Sequence, residues 1–163
     1  MISVACFGQN VQVNLNLPSL AIMDIEPNSN AFNLAVNNPT EAGQPVEVSS
    51  TNSSKWINFS SAVLPGASRR VTAQLSGGVV SGLDLTLTAS SYSGSGAGAL
   101  GFSTGTVILS GASQKIIDNI GGAYTGNGVN NGYKLNYALS ISNYNNLRSE
   151  NKTVTVLFTM MDN

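Results

Sequence analysis

Apolar and polar residues alternate one by one in several separate stretches of this chain, and that period constrains its fold more than any other feature. Val11, Val13, Leu15 and Leu17 are separated by Gln12, Asn14 and Asn16. Val71, Ala73 and Leu75 are separated by Thr72 and Gln74. Leu83, Leu85, Leu87 and Ala89 alternate with Asp84, Thr86 and Thr88. Tyr133, Leu135, Tyr137, Leu139 and Ile141 alternate with Lys134, Asn136, Ala138 and Ser140. Val154, Val156, Phe158 and Met160 follow the same period. Successive side chains of a strand point to opposite faces, so each stretch places its apolar residues on one face. Fully buried parallel strands would instead read as unbroken apolar runs, so this pattern predicts antiparallel sheets with one buried face.

Shorter strand signals fall at residues 20–25, 31–36, 46–48, 55–59, 106–109 and 115–120. In the second of these Phe32, Leu34 and Val36 share a face. Turn chemistry separates the stretches, as in Glu26-Pro27-Asn28-Ser29-Asn30 and Gly77-Gly78. The spacing predicts an all-β protein of about nine or ten strands, arranged as a β-sandwich or, second, as a closed barrel. Aromatic girdles of an outer-membrane barrel are missing. Residues 112–120 form the only helix candidate, and their Gly flanks and missing cap favour a strand.

At 163 residues the chain is long enough for one domain with its own core. Residues 9–163 are read as that domain. Residues 1–8, apolar and small around Cys6, are read as the remnant of a secretory signal peptide, with a short apolar strand or a lipid-anchor cysteine as the alternatives. The expected location is therefore extracellular or on the cell surface. A single cysteine excludes an internal disulfide.

Charged residues make up 9% of the chain, against about 25% in ordinary soluble proteins. Asn, Ser, Thr and Gly replace them and make a neutral, hydrogen-bonding surface. Basic residues cluster only at Arg69-Arg70, so no footprint for nucleic acid or an anionic membrane is present. No apolar run reaches the ~20 residues that span a bilayer as a helix. The chain has no histidine, and so lacks the commonest general base and the commonest metal ligand. No catalytic residue, cofactor or metal is expected, and the chain is read as a non-enzyme.

The chemical motifs that remain are weak. Gly96-Ala97-Gly98-Ala99-Leu100-Gly101 has the spacing of a dinucleotide loop, but no amphipathic helix follows, so it reads as a loop between strands. Asp24, Glu26, Glu41 and Glu47 lack a cation-binding pattern and read as solvated turn residues. Asp24, inside an apolar run, is expected to cap a turn, to pair with Arg69 or Arg70, or to guard a sheet edge. A Ser–Lys pair would need Lys55, Lys115, Lys134 or Lys152 beside a hydroxyl, and no motif supports one. Tyr133 and Tyr137 belong to a core face. Tyr92 and Tyr124 lie in Gly-rich loops, residues 91–101 and 121–131, and are the candidates for stacking on a sugar.

Three stretches together carry a resemblance. They are residues 11–27, Trp56 to Ser60 followed by Arg69-Arg70-Val71-Thr72, and residues 124–163. In these the chain resembles a group of short secreted bacterial proteins of unassigned role. Their layout is similar to pilins of the chaperone–usher and spore-coat type, although the disulfide common in such pilins is absent here. The resemblance implies an immunoglobulin-like β-sandwich and an exported structural subunit of a surface fibre, pilus or coat, with the chain itself as partner. Such a subunit can assemble by donating a strand, and Val11, Val13, Leu15 and Leu17 are the candidate donor. The same residues pairing within their own chain is the competing expectation. The alternative function is a carbohydrate-binding or adhesive module that meets surface glycans through Tyr92 and Tyr124. The strand carrying Val154, Val156, Phe158 and Met160 is expected to be central, with all four side chains in the core.

Overall fold

The structure is a computed structural model and describes residues 8–163. Cys6 and, apart from Gly8, the signal-peptide reading lie outside the described residues. The described residues form β1 (Leu20–Glu26), β2 (Thr51–Ala62), β3 (Arg69–Ser76), β4 (Leu83–Ala89), β5 (Ala97–Gly98), β6 (Phe102–Ser103), β7 (Thr106–Ile108), β8 (Gln114–Ile120), β9 (Ala123–Tyr124), β10 (Tyr133–Ile141) and β11 (Thr155–Asp162). One 3-10 turn, Tyr144–Asn146, is the only helical element among them. Every strand pair is antiparallel.

The strands make two sheets. The first runs β5-β9-β2-β10-β4-β7, with β1 also paired to β2. The second runs β11-β3-β8-β6. In the first sheet β10 pairs with Thr51 to Ile57 of β2 and β9 with Ser60 and Ser61, so they share one flank. β1 pairs with Trp56 to Ala62 and therefore takes the other flank. The two sheets share one core. Ile57, Leu85, Leu87, Tyr133, Leu135 and Tyr137 come from the first, and Val71, Ala73, Leu75, Ile116, Ile117 and Ile120 from the second. Each large apolar side chain buried there is worth roughly 2 kcal/mol. Two separate sheets with free edges replace the closed-barrel alternative.

Alternation performs as expected in β4 and β10. Leu83, Leu85, Leu87 and Ala89 are buried, as are Tyr133, Leu135 and Tyr137. It fails in β2, where Lys55 to Phe59 are all buried. The outer face of that strand is covered from elsewhere. The Lys134 amine lies 5.9 Å from the Trp56 ring centre. The Asn58 side-chain amide donates to the Gly128 carbonyl at 3.0 Å, which brings the Gly/Asn loop down onto the strand.

Two other expectations are corrected, and two sets of alternatives are narrowed. Residues 31–36 and 46–48 form no strands, and a single bridge joins Asn37 to Glu47. Phe32 and Leu34 still pack on the core, Phe32 with its ring 4.8 Å from that of Tyr137. Their backbone is partly satisfied by a side chain, since Ala35 N–H donates to the Ser50 hydroxyl at 3.0 Å. Of the three roles open to Asp24, pairing with Arg69 or Arg70 is not realised, whereas a place on a sheet edge is. It is exposed on β1, and its carboxylate accepts from the N–H of Ile25 at 2.7 Å. Residues 11–17 belong to no sheet. Finally, β11 is an edge strand, not a central one, because it pairs with β3 alone.

Candidate functional site

Two edges with apolar inner faces define the site. β1 ends the first sheet and β11 ends the second. A strand edge carries a row of N–H and C=O groups without ladder partners, which makes it a template for another strand. The inner side chains at both edges are covered incompletely. In the register of β11 with β3, Val156 faces Leu75, Phe158 faces Ala73 and Met160 faces Val71. Directly paired residues project from the same face of a sheet. Val71, Ala73 and Leu75 are buried, whereas Val156, Phe158 and Met160, one strand further out, are half-buried. Val154 is half-buried just before β11, and Met23 and Ile25 are half-buried on β1. All of these pack against the common core, so the two edges open onto its interior.

Arg69 fastens one end of this seam. Only 6% of the residue is exposed. Its Nε donates to Asp162 Oδ1 at 2.8 Å, and so reaches the last residue of β11. Nη2 donates to the Ser19 hydroxyl at 2.7 Å, and Nη1 donates to the Leu20 carbonyl and, at 3.3 Å, to the Ser61 hydroxyl. One guanidinium thus ties the start of β1 to the end of β11. Its planar fork of five donors suits this divergent set of acceptors. Arg69-Arg70 is the one basic pair in the sequence, but no local pattern points from it to Ser19, Leu20 or Asp162.

Residues 11–17 leave the fold at that same end. Val11, Val13, Leu15 and Leu17 are 88%, 73%, 92% and 85% exposed. Among the described residues, residues 9–18 make no hydrogen bond, and the first contact of that kind is from the Ser19 hydroxyl to the Ala62 carbonyl at 3.2 Å. Four large apolar side chains on one short segment, all in water, form an unusual surface for a protein that stays alone.

The second candidate pair is placed differently. Tyr92 is half-buried, with its ring 6.0 Å from that of Tyr133. Its hydroxyl donates to the Thr125 carbonyl at 3.1 Å and accepts from Gly96 N–H. Tyr92 is therefore a post that holds two loops together. Tyr124, on β9, leaves its ring exposed. The Gly-x-Gly spacing also has a packing reason. A Cβ on Gly96 would lie 2.0 Å from the Tyr124 carbonyl oxygen, and one on Gly98 would lie 2.2 Å from that of Gly122. Those glycines let β5 pass close against β9.

Titratable chemistry is scattered. Among the described residues no group of three or more His, Cys, Asp or Glu comes together. The Lys55 amine is held by Asn28, at 2.8 Å from its carbonyl and 2.9 Å from its side-chain oxygen. The Lys115 amine lies 2.7 Å from Asp118 Oδ2 and holds that carboxyl below its usual range. No helix among the described residues is long and apolar enough to cross a membrane. Comparison of the chain with protein-family models, with curated proteins and with solved structures returned no match.

Proposed function

We propose that this chain is a non-enzymatic, exported structural subunit of a bacterial surface fibre, pilus or coat, with an immunoglobulin-like β-sandwich that assembles by strand donation. One observation carries the reading. Residues 11–17 alternate like a buried strand and yet are exposed and unpaired, in a chain whose own two sheets end in half-buried edges. The dimensions agree. Val11 to Leu17 and Val154 to Met160 both place an apolar residue at every second position over seven residues, a span of roughly 20 Å. A strand laid along the free edge of β1 gains main-chain hydrogen bonds, and its alternate side chains fill the seam toward β11. A head-to-tail contact of this kind makes a filament when it does not close on itself.

The test is the full chain with Val13→Asp and Leu15→Asp. Two carboxylates forced into an apolar cleft cost several kcal/mol, enough to weaken assembly by more than about 100-fold. Negative-stain microscopy and light scattering should show fibres or oligomers for the parent and monomers for the variant. A variant that assembles like the parent, or a parent that is monodisperse and monomeric, overturns the reading.

The exposed Tyr124 ring favours a second reading, an adhesive module for surface glycans. In that case Tyr124→Ala should abolish binding on a glycan array, and a parent protein that binds no glycan removes this reading.

A further inference from the structure

The donor segment and the seam belong to one chain, so self-closure is the competitor that a second copy has to beat. A strand on a short linker acts at an effective concentration of about 1 mM and would outcompete a micromolar second copy by about 1,000-fold. The exit of the segment opposes such closure. We propose that Pro18 and the Arg69 clamp keep residues 11–17 out of their own seam, so that residues 11–17 of a second copy fill it. This rests on the strand-donation reading above and adds what makes it intermolecular.

The geometry begins at Leu20. β1 starts there, beside the end of β11 at Asp162, with both held by Arg69. To lie back along its own seam the chain has to reverse between Leu17 and Leu20. With Pro18 and Ser19 between them, that reversal is a two-residue hairpin. The turns that suit strand twist, types I′ and II′, both need positive φ at the first central residue. Here that residue is Pro18, whose ring holds φ near about −65°.

Neighbouring registers do no better. Shifting the turn one residue back makes Leu17 the first central residue, where types I′ and II′ both need the positive φ that a leucine rarely adopts. Shifting it one residue forward removes Leu20 from its pairing with Ala62 and asks a leucine for the left-handed position that such loops give to Gly. The clamp acts on the same atoms. The Leu20 carbonyl, which a hairpin would use to accept from Leu17 N–H, already accepts from Arg69. The Ser19 hydroxyl is held between Arg69 and the Ala62 carbonyl. A second copy brings the same four side chains without needing a turn.

The experiment restores the missing turn. Pro18→Asn with Ser19→Gly supplies an Asn-Gly pair suited to type I′, in the full chain. The concentration needed for half-assembly should rise at least about 100-fold. The amides of residues 11–17 should gain protection from hydrogen exchange in the resulting monomer. Pro18→Gly alone gives Gly-Ser, suited to type II′, and keeps the Ser19 contacts. It should shift assembly in the same direction and serves if the double variant does not fold. Folded variants that assemble at the parent's concentration overturn the inference, as does a monomeric parent whose residues 11–17 are already protected. A synthetic peptide of residues 9–17, added to the Val13→Asp, Leu15→Asp chain, separates this from the underlying reading. No binding of the peptide means that strand donation itself fails. Peptide binding together with parent-like assembly of the turn variants means that only the present inference fails.

Discussion

Arg69→Met is expected to destabilise the folded protein by about 2–4 kcal/mol, read by urea unfolding. The ion pair contributes the smaller share, because the Asp162 side chain is 76% exposed, and exposed pairs are worth about 1 kcal/mol or less. Most of the loss comes from acceptors around the guanidinium. The Leu20 carbonyl and the hydroxyls of Ser19 and Ser61 lose a charged donor, and such bonds contribute about 1.5–3 kcal/mol each before relaxation and rehydration. Arg69→Lys should recover little, since an ammonium on a flexible stem lacks the planar fork. The melting temperature should fall by roughly 4–12 °C for a chain of this size. A loss below about 0.5 kcal/mol would show that water replaces the clamp without cost.

The second large effect is alkaline unfolding. Tyr133 is fully buried, and its hydroxyl donates to the Leu100 carbonyl at 3.0 Å. Burial, and then repulsion from Tyr92, push its phenol up to about 12. Burial pushes Tyr137 up further. Both groups titrate near about 10 when unfolded. The neutral form is the one the fold favours, so the titration of these tyrosines leaves stability unchanged well below pH ~10, where both states keep their protons. Above it the unfolded chain loses protons that the folded chain retains. Stability then falls by about 1.4 kcal/mol per pH unit for each tyrosine, or nearly 3 for the pair. By pH ~12 that loss is about 5 kcal/mol, the lower end of the stability of a typical domain. Tyrosinate absorbance should therefore rise together with unfolding for these two residues. Tyr137→Phe should roughly halve the slope of stability against pH. Cooperative unfolding that starts at the same pH and slope in Tyr137→Phe would show that other groups control it.

Much of the fold was legible because a strand's side-chain period is local. β3, β4, β8 and β10 follow from alternation or from short apolar runs. β5, β6 and β9, of two residues each, were not legible, because pairs such as Ala97 with Tyr124 depend on which loops meet. Residues 31–36 misled for a related reason. Phe32 and Leu34 alternate because they reach the core, but no neighbouring strand completes their backbone. Alternation reports burial of one face, and strand pairing is a separate condition.

The candidate site divides in the same way. Local alternation already carries the antiparallel all-β character and marks Val11, Val13, Leu15 and Leu17 as a strand-like segment broken from the next by Pro18. Both are properties of neighbouring residues and need no long-range information. That β11 and β1 are edges, that their inner side chains stay half-buried, and that Arg69 rather than Arg70 closes one end of the seam all depend on how the strands assemble in space. An edge is defined by a partner that is missing in space. Val156 and Val71 carry the same side chain, and only the number of strands packed around each separates a half-buried position from a core one.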